Sequence, residues 1–158
     1  LLVCAACTGP EIDHERQWLR ALEARYDANL AAFELEQESF AQANSMPREF
    51  EYPGMGHVLV RRVRLVGRPG KARLRCEFTY VNTTGRTVGQ PRVTLAVKSA
   101  DGEQWSANSL DLIVPFAAEL TKNSTYSSWL YVNTEGLHTL DGWQWELGLD
   151  EVKPVAAR

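Results

Sequence analysis

The chain has 158 residues, of which 44% are hydrophobic and 23% are charged, and its formal net charge is −3. This length suits one domain, and the share of apolar residues is too high for a disordered chain. No basic stretch could neutralise several phosphates, which argues against nucleic-acid binding. Arg61, Arg62 and Arg64 come closest, and we interpret them as polar positions of one strand.

The chain starts LLVCAACTGP, with Cys4 and Cys7 three positions apart in a short apolar run. A thioredoxin-like redox site would need a βαβ unit around the pair, and a zinc site would need two more ligands. His14, His57 and His138 stand singly, so we interpret them as surface or turn residues. We therefore predict no metal site and no cofactor.

The two residues directly before Cys7 are alanines, and the chain begins inside an apolar run without an initiator Met. This start resembles the lipobox of bacterial lipoproteins, with Cys4 standing where leucine is usual. The resemblance implies a truncated signal peptide over residues 1–7 and acylation, as with palmitate, at Cys7. It also implies the periplasmic side of the cell envelope. Thr8 stands where an Asp would retain a lipoprotein at the inner membrane, which implies the outer membrane. The alternative interpretation of this whole start is a disordered apolar tail.

Residues 11–44 contain no Pro and no Gly and are rich in good helix formers. Apolar residues recur at spacings of mostly three and four, which predicts a long amphipathic helix within an N-terminal segment of residues 8–46. These residues are Ile12, Leu19, Leu22, Tyr26, Leu30, Phe33 and Phe40. At 1.5 Å per residue the helix would reach about 50 Å, longer than a small sandwich. Two interpretations stay open: the stripe packs on the rest of the chain, or the helix projects toward a partner.

Residues 47–56 hold two prolines and two glycines, which predicts a linker. From residue 57 to residue 152 the hydrophobic period becomes two, and residues 153–158 form a tail. Alternating runs such as KARLRCEFTYV and RVTLAVKS, with turns such as Asp101–Gly102, predict about seven short strands. We therefore predict a mainly β fold. It is an Ig-like antiparallel β-sandwich of about seven strands preceded by one long N-terminal amphipathic α-helix, with a barrel as the alternative.

Three details of the strands can be tested against a structure. The alternation slips near Arg61–Arg62, which indicates a β-bulge. Cys76 lies on an apolar strand face, which predicts a buried thiol. A short strand near Trp105 and a separate strand in SLDLIV are both expected.

The stretch CEFTYVNTTGRTVGQPRVTLAVKSADGEQW joins a strand ending at Val81–Asn82, a polar turn and a second strand that runs to Asp101–Gly102. It resembles the Ig-like extracytoplasmic domains of bacteria, including the FxLYD type. The resemblance implies a binding or assembly module and not an enzyme.

The sequence contains no nucleophile elbow, Walker loop, HExxH motif or calcium loop. We therefore expect a lipid-anchored, non-catalytic module that binds or assembles an envelope protein complex. Its partners would be the membrane, through the lipid, and an envelope protein.

Aromatic residues are the candidates for a binding surface. Trp129 and Tyr131 share one face of a predicted strand, and with Trp105 they would form an aromatic patch if exposed. Trp143 and Trp145 share a face with leucines and are expected in the core. Binding of peptidoglycan or an exopolysaccharide through exposed aromatics is the alternative function, and an enzyme is the least favoured.

Overall fold

The computed structural model describes residues 10–89, 91–112, 120–134 and 142–150, with the backbone alone for residues 10–12. In these ranges the chain forms one helix and then seven strands. They are α1 (Pro10–Ala43), β1 (Arg48–Tyr52), β2 (Gly56–Val66), β3 (Arg73–Val81), β4 (Arg92–Lys98), β5 (Trp105–Asp111), β6 (Thr125–Asn133) and β7 (Gln144–Asp150). The predicted mainly β fold with a long N-terminal helix is confirmed. The predicted signal segment, Cys7 and the tail at 153–158 lie outside the described residues.

The strands form two antiparallel sheets around one hydrophobic core. One sheet has the order β1-β2-β3-β6, and the other has the order β5-β4-β7. β3 therefore pairs with β6 in the first sheet, while β4 pairs with β7 in the second. In the immunoglobulin fold, strand B pairs with strand E in one sheet, as β3 pairs with β6 here. Strand C pairs with strand F in the other sheet, as β4 pairs with β7. The chain crosses between sheets after β3, β5 and β6, so the sandwich, and not the barrel, is the architecture.

The core is built from alternate residues of the facing sheets. Leu74, Cys76 and Phe78 of β3 are buried, as are Val93 and Leu95 of β4. Burial, together with the neighbouring carboxylate of Glu77, raises the pKa of the Cys76 thiol from 9.0 to about 12. The thiol therefore stays protonated near neutral pH and acts as a small apolar side chain. This confirms the predicted buried cysteine.

A strand lies inside the segment that we predicted to be a linker. β1 pairs with the first half of β2, from Arg48 opposite Val60 to Tyr52 opposite Gly56. At Gly56 the backbone has a φ of +105°, and a Cβ would lie 2.5 Å from the carbonyl oxygen of Val81. Glycine is therefore required where β2 begins, because any side chain would collide with β3.

The register of the other strands explains two further sequence details. The pairing of β2 with β3 shifts between Val60 and Arg62, so the predicted bulge is confirmed. The two strands expected near Trp105 and in SLDLIV form a single strand instead. β5 pairs with β4 without interruption from Trp105 opposite Lys98 to Asp111 opposite Arg92.

The helix α1 packs on the sandwich at one end and projects from it at the other. Phe33 and Phe40 are buried, and Leu30 and Gln37 are half-buried. Every residue from 13 to 29 is exposed. The packing interpretation therefore holds for the second half of the helix, and the first half projects from the sandwich; that it reaches a partner stays a prediction. Among the described residues, no helix combines the length and apolarity needed to cross a bilayer.

Polar contacts fix the packed end of α1. The amide of Gln37 donates a hydrogen bond of 3.1 Å to the carbonyl oxygen of Leu65, in the part of β2 that extends beyond β1. The indole Nε1 of Trp145 donates a hydrogen bond of 2.7 Å to Oδ1 of Asn44, just after the helix. The helix thus covers the part of the β2 edge that has no strand partner beyond β1.

Candidate functional site

The outer surface of the β1-β2-β3-β6 sheet carries the strongest candidate for a binding site. We call it the arginine–aromatic face, and it consists of Arg64, Arg73, Arg75, Glu77, Trp129 and Tyr131. Its position follows from alternation, because Cys76 on β3 and Leu130 on β6 point into the core. In the register of β3 and β6, Arg75 lies opposite Tyr131 and Glu77 lies opposite Trp129.

Guanidinium groups of β3 hold the aromatic rings of β6. The guanidinium carbon of Arg75 lies 5.3 Å from the ring centroid of Trp129 and 5.7 Å from that of Tyr131. The guanidinium of Arg73 lies 5.2 Å from the Tyr131 centroid. An exposed cation–π contact contributes about 0.5–1 kcal/mol. The rings are therefore positioned before any ligand arrives, which lowers the entropic cost of binding.

The face has an excess of positive charge. Nη2 of Arg64 and Nε of Arg75 lie 3.3 and 3.2 Å from the same oxygen, Oε1 of Glu77. The Arg75 contact is an ion pair without hydrogen-bond alignment, because its Nε has no hydrogen-bond partner among the described residues. One carboxylate thus faces two guanidiniums, and Arg73 adds a third nearby. An anionic group on a ligand would complement this charge.

A shallow groove lies beside the indole of Trp129. Its volume is about 180 Å³, and it is lined by Arg61, Arg75, Glu77, Phe78, Ser127, Ser128 and Trp129. Pockets for drug-sized ligands span roughly 300–1,000 Å³. The groove therefore fits a single side chain or one sugar ring, and Trp129, with 55% of its surface exposed, supplies an apolar wall.

The structure separates the three aromatic residues that we expected to form one patch. Trp129 and Tyr131 lie on the arginine–aromatic face. Trp105 is 70% exposed, but it begins β5, opposite Lys98 in the other sheet. The two outer faces of a sandwich point in opposite directions, so Trp105 cannot join the other two. Trp145 is buried, as predicted for the core.

The two histidines that the structure describes, His14 and His57, lie on separate elements, and His57 is half-buried within β2 and not in a turn. His14 is exposed on α1. Nε2 of His57 lies 3.3 Å from Oε1 of Glu49 on the neighbouring strand. His138 lies outside the described residues. Within the described ranges, no three side chains of metal-ligating type come together.

Sequence reasoning missed two features of these surfaces. Trp18, which is 63% exposed on α1, was not counted among the candidate binding residues. The part played by Arg73 and Arg75 was also missed. Their alternation with Leu74 and Cys76 placed them on an outer face, but it could not indicate that the aromatic residues of β6 would lie beside them.

Comparisons with known proteins add no relative. The chain matches no family model, no curated protein and no solved structure.

Proposed function

We propose that this protein is a lipid-anchored, non-catalytic binding or assembly module of the bacterial cell envelope. The observation that supports binding best is the arginine–aromatic face, where Trp129 and Tyr131 are held by arginines on a rigid sheet. Tryptophan, tyrosine and arginine are the residues that most often dominate the energy of protein interfaces. Their position on paired strands keeps them ordered in the free protein.

Among the described residues, the two side chains with the most strongly raised pKa values belong to the core. Burial raises the pKa of Tyr80 to about 12, and Cys76 behaves in the same way. Both side chains are fully buried in the core, and the hydroxyl of Tyr80 donates to the carbonyl oxygen of Met55 at 2.8 Å. A substrate cannot reach either group, so their pKa values reflect packing and not a reactive site.

The charge and the aromatic rings of the face favour one class of partner. We propose a protein segment that carries a carboxylate next to an apolar side chain. The carboxylate would bind the guanidiniums of Arg61 and Arg75 at the groove, and the apolar side chain would pack on Trp129. Salt would weaken the charge contacts at the exposed rim, because it screens them. The contact with the indole of Trp129 would be stabilised by the exclusion of water.

The test of this surface is crosslinking in intact cells, followed by quantification of the captured envelope proteins. We expect Trp129→Ala to lower the yield of a specific partner at least tenfold, since truncation of a central tryptophan removes 2 kcal/mol or more of binding energy. Trp105→Ala is the matched control, because it removes an exposed tryptophan from the opposite face. Equal losses from both variants, or none from Trp129→Ala, would contradict the proposal.

The lipid anchor at Cys7 has its own test. Metabolic labelling with palmitate is expected to mark the protein, and Cys7→Ser is expected to abolish the label and release the protein from the outer-membrane fraction. Cys4→Ser serves as the control and should leave both unchanged, because the lipobox resemblance places Cys4 in the part that is cut away. Labelling that persists in Cys7→Ser would defeat the anchor. With acyl chains at Cys7, the exposed residues 13–29 of α1 would act as a spacer of about 25 Å.

Carbohydrate binding is the second candidate, and the groove favours it. The hydroxyls of Ser127 and Ser128 line the groove beside the indole of Trp129. A sugar ring stacks on an indole and uses such hydroxyls as hydrogen-bond partners. Cosedimentation with purified peptidoglycan separates the two candidates: retention that Trp129→Ala abolishes supports the sugar, and no retention supports the protein partner.

A further inference from the structure

The projecting part of α1 carries an apolar stripe, which we define as Trp18, Leu19, Leu22 and Tyr26. All four side chains are exposed. At 100° per residue they lie within an arc of about 120°, together with the residues that pack on the sandwich. One continuous helix face is thus covered by the sandwich from Leu30 onward and left uncovered before it.

The uncovered stripe is large for an exposed surface. Four big apolar side chains lie within nine residues, a distance of about 12 Å along the helix. Single exposed apolar residues are ordinary, but a contiguous patch of them marks an interaction site. The stripe continues a face that already packs against protein, which indicates protein and not water as its environment.

Charged residues beside the stripe indicate what covers it. Arg16 and Arg20 come first along one flank, and Glu23 and Asp27 follow on the same flank. None of these four side chains pairs with an opposite charge in the described part of the chain. Two positive charges followed by two negative ones form a pattern that complements itself when two copies run antiparallel.

In the antiparallel arrangement, each half of the stripe packs on the other half of the second copy. If Leu22 lies on the two-fold axis, Trp18 faces Tyr26 of the second copy. Arg16 then lies near Asp27 of the second copy, and Arg20 lies near Glu23 of it. A parallel pair would instead bring this flank against the opposite flank of the second copy, so the arginines would not meet Glu23 and Asp27.

We propose that a second copy of this chain covers the stripe, through an antiparallel pair of α1 helices related by a two-fold axis. This goes beyond the proposed function and does not depend on the arginine–aromatic face. A membrane surface fits the stripe less well, because helices that lie on anionic lipid carry lysine and arginine along their polar flank. Here Glu23 and Asp27 would be repelled.

The pairing is modest in size. The overlap spans about 20 Å along the helix. A helix pair of this length buries less surface than a standard interface, which buries roughly 1,200–2,000 Å². We therefore expect a reversible dimer with a dissociation constant in the micromolar range. Attachment of both copies to one membrane would raise their effective concentration and favour the pair.

Sedimentation equilibrium of the 158-residue chain tests the stripe. We expect concentration-dependent dimers, and we expect Leu22→Glu to raise the dissociation constant at least tenfold. Leu35→Glu is the matched control, because Leu35 is 68% exposed on the opposite side of the same helix. It should change the constant less than twofold. A monomer at every concentration, or equal effects of both variants, overturns the proposal.

Charge reversal tests the antiparallel arrangement. The double variant Arg16→Glu with Arg20→Glu should weaken the dimer several-fold, and adding Glu23→Arg with Asp27→Arg should restore it. Restoration requires Arg16 and Arg20 to face Asp27 and Glu23 of the second copy. A general loss of helix stability would not be reversed by the second pair of substitutions. Failure of the fourfold variant to recover overturns the arrangement. Stripe-dependent binding of the monomer to phosphatidylglycerol vesicles would assign the stripe to lipid and also overturn it.

Discussion

Replacing Asn82 with aspartate is expected to lower the free energy of unfolding by about 3 kcal/mol. Asn82 is fully buried. Its Nδ2 donates to the carbonyl oxygens of Arg86, Leu120 and Thr121 at 2.7, 3.0 and 3.1 Å. Its Oδ1 accepts hydrogen bonds from the backbone and the hydroxyl of Thr84. Aspartate keeps the acceptor but loses both donors, and it places a buried negative charge against three carbonyl oxygens.

Urea unfolding followed by tryptophan fluorescence measures this loss. A change of this size in a domain of this length corresponds to a fall in the melting temperature of about 9 °C. Asn29→Asp is the matched control, because Asn29 is exposed on α1 and the same substitution there should cost less than about 0.5 kcal/mol. If Asn82→Asp costs no more than this control, the side chain does not hold the turn.

The reason for the large effect is the position of Asn82 in the fold. It directly follows β3 and holds the connection toward β4 against the chain that precedes β6. There, Val88 and Leu120 form an isolated antiparallel bridge with hydrogen bonds of 2.9 and 2.8 Å. The side-chain amide of Asn82 thus joins the two segments at the crossing between the sheets, in addition to the backbone hydrogen bonds of this region.

Truncating Phe40 to alanine is expected to cost about 3 kcal/mol and to loosen the packed end of α1. Phe40 is the residue of the helix that belongs to the main core cluster. Removal of a buried phenyl ring loses its transfer free energy and leaves a cavity, which together cost about 3–5 kcal/mol. Phe33 and the hydrogen bonds from Gln37 and to Asn44 would then hold the helix without its anchor in the main core.

Amide hydrogen exchange and urea unfolding measure the two effects of Phe40→Ala together. We expect faster exchange over residues 30–43, with strands β3 and β4 keeping their protection. Leu35→Ala is the control, because Leu35 is exposed on the same helix and its truncation should leave both measurements nearly unchanged. Unchanged exchange in Phe40→Ala would mean that the helix is held by other contacts.

Several parts of this fold depend on local sequence and were predictable from it. A run of good helix formers without Pro or Gly predicts α1, because its intrinsic propensity is high throughout. Alternation of apolar and polar residues predicts β3 and β4, because the core covers one face of each strand, although Thr79 on the outer face of β3 is buried as well. The slip at Arg61–Arg62 and the Asp101–Gly102 turn are local breaks in that alternation, and both occur as expected.

Other parts depend on contacts between distant segments. The run REFEY alternates glutamates with Phe50 and Tyr52, but it is only five residues long, and the prolines and glycines around it favoured a linker. It forms β1 because the first half of β2 offers a free edge for pairing. Alternation places Trp129 and Leu130 on different faces of β6, but it cannot indicate which face is covered. The second sheet decides this, since Leu130 packs against it while Trp129 remains exposed.

The sequence by itself therefore determined the class of fold, the helix, the buried cysteine and the candidate aromatic residues. Only the tertiary structure decided that Trp129 and Tyr131 meet Arg73 and Arg75, that Trp105 lies on the other side, and that α1 leaves half of its apolar face uncovered. The physical reason is that propensity and periodicity act over a few residues. Burial of a face depends instead on which distant segment packs against it.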